Sequence, residues 1–328
     1  MNYKAAKEIF EHLFSGDMGA EEMRELLVNI KLDESTPYEV IAGAAEVMRA
    51  HAIALPISKE LQARAIDIVG TGGDKIGSFN ISSTSSILLA ACGCFVAKHG
   101  SRSITSKSGS ADMFEALGVR LDLGIEKSAR LLEETGFTFM FAQNHHPAMK
   151  FIMPVRKTIP DKTIFNILGP LTNPAGVKKS LLGVFDKSFV PKVAQALQLN
   201  GATSTIVVSS KERMDEISIS DITYASELKN GIKHDFIIDP EEYGIKKAPL
   251  SAIIGGDAGE NAKILYAIFE GNATDAQRDI VLLNTAAALI VEGAARDFQD
   301  GLEIAREALK KGAATAKLKQ IMEVSNKL

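Results

Sequence analysis

The sequence predicts an α/β protein: a small N-terminal helical domain plus a larger α/β domain with a mainly parallel central sheet. Three observations carry this. The first sixty residues show helical periodicity and no strand pattern. From Ile66 onward, short apolar strands alternate with glycine loops and helices, as βαβ units do. From Pro147 to about Leu171 the alternation gives way to a helical stretch with prolines at 154, 160 and 170. Such an insertion can return to the N-terminal helices and complete their domain. The expected division is 1–65 as the helical domain, completed by an insertion at about 150–178, and 66–149 with 179–328 as the α/β domain.

The elements follow in order. Ala6, Ile9, Phe10 and Leu13 repeat at helical spacing, and Ser15-Gly16 stops the run. A second helix runs from about Ala20 to Ile30. A third has Thr36 as its expected cap, Pro37 in the first turn and Glu39 closing a capping box. Ile66–Val69 is a strand, GTGGDKIGSFN a loop, SSTSSILLAA a helix and CFVAK the next strand. Phe137, Phe139 and Phe141 mark one strand face. SLLGVF, STIVVSS and HDFIID read as strands, with a hairpin turn at Lys229-Asn230-Gly231. Two long helices close the chain, one from near Thr274 and one over roughly 300–326.

Composition narrows the function. The chain has 328 residues, 46% hydrophobic and 24% charged, which excludes disorder, collagen and coiled coil. Lys plus Arg is 37 and Asp plus Glu 41, a net charge of −4, so no electrostatic footprint for nucleic acid is present. Cys92 and Cys94 are too few for a disulfide framework and read as buried thiols. No apolar run reaches the ~18 residues of a membrane span. The start, MNYKAAKEIFEHL, lacks a signal-peptide core. The expected location is cytoplasmic, with no membrane and no nucleic-acid partner.

The chemistry concentrates in loops. Gly70-Thr71-Gly72-Gly73-Asp74 joins a strand to a helix, where glycines let backbone N–H groups approach an anion. It is neither a P-loop, lacking Gly-Lys-Ser/Thr, nor a dinucleotide fingerprint, because Lys75 replaces the third glycine. Taken alone it fits a phosphate cradle or a plain turn. Asn80, Ser82 and Ser83 open the next helix and can cap it or contact phosphate and metal. Lys98-His99-Gly100-Ser101-Arg102 follows a strand, at the sheet end where open α/β folds bind ligands. Ser106-Lys107-Ser108-Gly109-Ser110-Ala111-Asp112 adds hydroxyls and another helix start. Three such loops point to a heavily phosphorylated small molecule. Asp215-Glu216 is a candidate Mg²⁺ pair or a solvated acidic face. His145-His146 lacks a carboxylate at ligand spacing, so it reads as a cap or pocket wall. Arg156 is a candidate carboxylate anchor or a surface residue.

Together GTGGD, FNIS, KHG-R, SGSAD, HHPAM, FNILGPLTNPA and DEIS resemble the anthranilate phosphoribosyltransferase family in order and spacing, over nearly the whole chain. GTGGD and LLNTAAALI are shared with pyrimidine nucleoside phosphorylases; HHPAM with FNILGPLTNPA is more specific. The resemblance implies a nucleoside phosphorylase/phosphoribosyltransferase-like fold, a homodimer, and transfer of phosphoribosyl from phosphoribosyl pyrophosphate to anthranilate, in tryptophan biosynthesis. It implies phosphoribosyl pyrophosphate contacts at Gly70, Gly73, Asp74, Ser78, Asn80, Ser82, Ser83, Lys98 and Ser110. Ile81, His99, Gly100, Ser101, Arg102 and Ser106 join that candidate set from the same loops. Anthranilate contacts would be Gly70, Ser101 and Arg156. Metal ligands would be Ser82, Asp215 and Glu216, for two Mg²⁺ per chain. No residue is assigned as general acid or base. Three places depart from the family pattern: Ser83 for Thr, Pro160-Asp161-Lys162 for Gly-x-Arg, and Ser101 for Asn. A pyrimidine nucleoside phosphorylase-like enzyme and a non-enzymatic nucleic-acid-binding relative are the competing readings. HHPAM argues against the first. The net charge of −4 and the intact Asp215-Glu216 argue against the second.

Overall fold

The computed structural model describes residues 1–103 and 107–328. Ser106 therefore lies outside the described residues. The chain opens with helices α1 (Tyr3–Ser15), α2 (Ala20–Asn29), α3 (Tyr38–Ala50) and α4 (Lys59–Arg64). Asn2 caps α1 by accepting from the Ala5 N–H at 3.0 Å, and Gly16 ends it at φ 86°. Thr36 does not cap α3 as expected. Its hydroxyl donates to the Lys31 carbonyl (2.8 Å) and accepts from the Asp33 N–H (2.9 Å). The loop's own backbone competes for that side chain and takes it.

The strands are β1 (Ala65–Gly70), β2 (Phe95–Gly100), β3 (Phe137–Phe141), β4 (Lys179–Gly183), β5 (Ser204–Ser210), β6 (Thr223–Lys229) and β7 (Ile232–Ile238). They form one sheet in the order β3-β2-β1-β4-β5-β6-β7. The first five are parallel and the last two antiparallel. Asn230 and Gly231 turn the hairpin with φ 52° and 79°, as a two-residue turn of this hand requires. Helices α5 (Ile81–Ala91), α6 (Ser110–Ala116) and α7 (Ile125–Thr135) lie between β1 and β3. After β3 come α8 (Ala142–His145), α9 (Met149–Arg156) and α10 (Phe165–Leu168), then α11 (Val190–Leu199) after β4. The chain ends with α12 (Ala258–Phe269), α13 (Asp275–Glu292), α14 (Phe298–Lys310) and α15 (Ala313–Lys327). The single closing helix expected over 300–326 is thus two, parted at Gly312, φ 69°.

One core fills the sheet face covered by α5 and α13, with α15 packed on α5 behind it. A second joins α1–α3 to Ile152, Ile164 and Leu168 of the insertion. That second core continues through Val193 of α11 to Leu182 and Val207 of the sheet, so α11 links α3 to β5. Phe10, Leu13, Phe14 and Leu27 are at most 5% exposed within the chain itself, and Leu26 on the same helices is half-buried. Among the described residues no helix is long and apolar enough to cross a membrane.

Candidate active site

The sheet order reverses between β1 and β4. The connection leaving β1 runs towards β2, while β4 and β5 extend the other way. Such a reversal opens a crevice at the carboxyl ends of the strands, where open α/β sheets bind ligands. Gly70 ends β1 and Gly183 ends β4, in register with each other. Asp215 is inserted between them. A Cβ on Gly70 would lie 2.9 Å from Asp215 Cγ, and one on Gly183 would collide with the Asp215 backbone. Both strand ends lack a side chain because an acidic residue occupies that space.

Backbone amides hold the acidic pair. The Gly72 N–H donates to Asp215 Oδ2 at 2.6 Å, and the Ser82 N–H, in the first turn of α5, donates to Glu216 Oε1 at 3.0 Å. Lys98, on β2 and 1% exposed, donates to the Ile68 carbonyl (2.5 Å) and to Ser82 Oγ (3.3 Å). Asn284 of α13 braces the next residue: its Oδ1 accepts from the Ile217 N–H (3.0 Å), and its Nδ2 donates to the Ile217 carbonyl (2.9 Å).

Burial dominates the electrostatics. It pushes Asp215 up to about 7, with Asp74 adding repulsion, and Glu216 up to about 8, with Asp215 adding repulsion. Burial lowers Lys98, against the pull of Asp67, Glu216 and Asp215. Three carboxylates, the buried Asp67 and the half-buried Asp215 and Glu216, face one buried ammonium. That excess of negative oxygen suits a hard dication. Among the described residues no three His, Cys, Asp or Glu side chains form a metal cage. Asp215, Glu216 and the Ser82 hydroxyl therefore fit Mg²⁺ in the manner this ion favours, with few protein ligands and the rest from phosphate and water.

The other expected residues separate into groups. Gly73 has φ 76°, a backbone conformation that an L side chain strains to adopt. Asp74 Oδ1 accepts from the Ile76 N–H at 3.1 Å and turns the loop back. Ser78 bridges to Ile254. Asn80 precedes α5 without capping it. Its Oδ1 accepts from Asn261 Nδ2 (2.7 Å), and its Nδ2 donates to the Ser108 carbonyl (3.4 Å). Ser83 Oγ is buried without a hydrogen-bond partner. The Ile81 side chain is 1% exposed in the core, so only its backbone can serve a ligand. Gly100 packs against the Phe139 ring and Ser110, which opens α6.

The recognition half is different. Ser101 is exposed, and its hydroxyl donates to the Arg102 carbonyl at 3.1 Å. Arg102 is committed to two carboxylates, Glu115 (2.5 and 2.6 Å) and Asp112 (3.0 Å). Arg156 is half-buried at the end of α9. Its guanidinium has no carboxylate partner among the described residues, only Met153 Sδ at 3.8 Å, and burial lowers its proton affinity. His99 Nδ1 meets the Gly169 carbonyl at 3.2 Å, which requires the proton on Nδ1. Burial, then His146 beside it, pushes His99 down to about 3, so it is neutral. The rings of His99 and His146 lie 5.2 Å apart. His145 bonds the Ile53 carbonyl (2.7 Å), tying the segment after β3 to the α3–α4 linker.

The sequence expectation omitted four residues that shape this site: Asp67, Asn173, Asn261 and Asn284. Asp67 accepts from Asn173 Nδ2 (2.7 Å) and the His99 N–H (3.2 Å). A polar residue inside an apolar run, as in IDIV and LLNTAAALI, is the available signal. A cavity of about 910 Å³ lies beside the site, lined by Phe185, Arg213, Tyr224 and Phe236, and contains none of the acidic pair or glycine-loop residues.

Known proteins agree with this arrangement. The family described as "Glycosyl transferase family, a/b domain" matches residues 62–315. Anthranilate phosphoribosyltransferases of Rhodopseudomonas palustris and Xanthobacter autotrophicus are 45% and 44% identical, over 98% of this chain and 93% and 92% of theirs. The crystal structure of the Thermus thermophilus enzyme superposes with a TM-score of 0.92 at 36% identity, covering 99% of this chain and 96% of that one. The Saccharomyces cerevisiae enzyme in complex with PRPP and Mg gives 0.89 at 26% identity, over 100% of this chain and 94% of its own. The glycine loop, the acidic pair and the switch-point crevice thus sit in a chain that belongs to the anthranilate phosphoribosyltransferase family.

Proposed function

We infer that the chain transfers the phosphoribosyl group of phosphoribosyl pyrophosphate to the amine of anthranilate, giving N-(5-phosphoribosyl)anthranilate and diphosphate, a step of tryptophan biosynthesis. The observation that carries this is the half-buried Asp215–Glu216 pair, clamped by the Gly72 and Ser82 N–H groups at the switch point. Breaking the C1–oxygen bond leaves positive charge on the ribose and negative charge on the leaving diphosphate. Bound Mg²⁺, two per chain in this proposal, would neutralise that leaving charge.

The chain's own residues do the rest. The glycine loop presents backbone N–H groups to the diphosphate, and a preorganised set of donors needs no reorganisation as charge develops. Lys98 donates to Ser82 Oγ from beneath and faces the acidic pair, which opposes the lowering of its proton affinity by burial. Ser82, Ser83 and Ser110 supply hydroxyls to the ribose and phosphates. Arg156, which has no carboxylate partner among the described residues, offers its fork to the carboxylate of anthranilate. An arylamine is neutral at ordinary pH, so positioning it against C1 supplies much of the acceleration without a strong base.

The helical group, 1–65 with about 150–178, would close on the α/β unit around both substrates. A homodimer built through helical surfaces and a cytoplasmic location complete the proposal. Exposed Val28 on α2 (46%) and Phe151 on α9 (55%) supply apolar surface for that contact. The test is an assay following loss of anthranilate fluorescence with phosphoribosyl pyrophosphate and Mg²⁺. Signal loss that requires all three supports the reading; none with any metal, or cleavage of thymidine by phosphate instead, removes it.

A further inference from the structure

Lys162 lies in the insertion between α9 and α10. Its ammonium reaches out of the helical group to the glycine loop. Nζ donates to the Gly73 carbonyl at 3.4 Å and lies over the Phe185 ring, 3.2 Å from its centroid. The charges that act on it are Lys75 and Arg213, which repel it, and Asp186 and Asp74, which attract it. Asp186 is already paired with Arg213 at 3.3 Å. Among the described residues no carboxylate lies within ion-pair distance of Lys162.

An ammonium has three N–H donors. The residue is exposed, and one long bond to a carbonyl and one ring face leave its other donors open to solvent or to a ligand. A cation held beside two others, without an anion of its own, fits a site whose anion arrives with the substrate. The location selects which anion. Gly72, one residue before Gly73, donates to Asp215, so the metal carboxylates and Lys162 flank the same short loop. The diphosphate is the part of the substrate that a metal pair and a glycine loop bind together.

We propose that Lys162 contacts the diphosphate of phosphoribosyl pyrophosphate, tying the helical insertion to the glycine loop when that substrate binds. This rests on the activity proposed above. In the competing account, Lys162 is only a strut that fixes Phe185 and the Gly73 carbonyl.

The experiment uses the full chain as wild type, Lys162→Met and Lys162→Arg. Met keeps an apolar stem against Phe185 and removes the charge; Arg restores a cation. Calorimetry in Mg²⁺ would titrate phosphoribosyl pyrophosphate, inorganic pyrophosphate and ribose 5-phosphate, alongside both Michaelis constants and ligand-free thermal unfolding. In Lys162→Met, phosphoribosyl pyrophosphate and pyrophosphate weaken by roughly tenfold or more, the scale of one charge-assisted hydrogen bond. Ribose 5-phosphate affinity, the anthranilate Michaelis constant and the unfolding midpoint stay close to wild type, and Lys162→Arg recovers most of the loss. Unchanged pyrophosphate affinity in Lys162→Met overturns the proposal. So does weakening confined to ribose 5-phosphate, or a loss that tracks a lower unfolding midpoint and is not rescued by Arg. A wild-type chain that binds no phosphoribosyl pyrophosphate brings down the activity reading, and this inference with it.

Discussion

Asp215 and Glu216 are held by backbone amides from the glycine loop and the first turn of α5, by the shape of two strand ends, and by Asn284 from α13 behind the next residue. Ser101 and Arg156 have almost none of this: one is exposed and bonded to its neighbour, the other touches a methionine sulfur. The difference follows from what each half would bind. Burying carboxylates costs several kcal/mol unless each lone pair is met, so the acidic half must be built before a metal arrives. A recognition arginine with an internal ion pair would have to break it to take a substrate. The acidic half is preorganised, and the recognition half is kept free.

The largest expected effect tests the preorganised half. Asp215→Asn with Glu216→Gln removes the charge and barely changes volume. Activity should fall at least roughly a hundredfold, several kcal/mol of lost electrostatic stabilisation, while circular dichroism shows a folded chain. Activity within about twofold of wild type would mean that the pair does not serve the chemistry.

Arg156→Ala tests the free half. No internal partner is stranded by the change, so the fold should survive. The anthranilate Michaelis constant should rise by roughly 10- to 100-fold, from ~1.5–3 kcal/mol for a charge-assisted contact. The constant for phosphoribosyl pyrophosphate should move little. If it is the one that rises, Arg156 belongs to the phosphate end.

The halves should also differ in their response to pH. The native pair holds protons up to about 7 and 8, whereas unfolded carboxylates release theirs near pH ~4. Between those limits the unfolded chain binds fewer protons, so their contribution to stability is full at acid pH and is lost as pH rises to about 8. The slope is at most about 1.4 kcal/mol per pH unit for each proton. His99, pushed down to about 3, acts the other way as pH falls below its unfolded value. Comparing thermal unfolding of wild type with the Asp215→Asn/Glu216→Gln variant cancels the histidine. The variant should lack the alkaline loss, and Mg²⁺ should raise the wild-type midpoint more at pH 8.5 than at pH 6. Parallel curves would show that the pair ionises normally.

The same division governs what the sequence revealed. The parallel strands were legible because a buried parallel strand is an apolar run and its loop is glycine-rich, as at Ile66–Gly73, whereas the antiparallel β6, TYASELK, was not read as a strand. The Asn230-Gly231 turn was legible because its backbone angles demand those residues. Asp215-Glu216 was legible as chemistry, but its fit against Gly70 was not, since that contact joins residues 145 positions apart and leaves no local pattern. Asn261 was missed for the same reason, since it meets Asn80 through a tertiary contact, whereas Asn284 carried a signal as the polar residue within LLNTAAALI. Thr36 misled because a hydroxyl before a proline-led helix has two backbone offers, and only the loop's geometry decides between them.

The smallest effect asks how free the recognition half is. Ser101 contributes its carbonyl to the start of α6, where the Ala111 N–H donates to it at 3.3 Å. Its hydroxyl does no more than bond the next carbonyl. A change of side chain therefore leaves the backbone brace in place. Asn is longer than Ser and carries both a carbonyl acceptor and an amide donor. If the pocket retains the space the family pattern provides, Ser101→Asn reaches the anthranilate amine or carboxylate directly, where Ser needs a bridging water. A bridging water is nearly as good in enthalpy and costs some entropy. The gain should therefore be modest, about 0.5–1.5 kcal/mol, or roughly two- to tenfold in anthranilate affinity. Phosphoribosyl pyrophosphate affinity should not change. If anthranilate affinity also stays put while the unfolding midpoint moves, position 101 shapes the turn before α6, and recognition rests on Arg156.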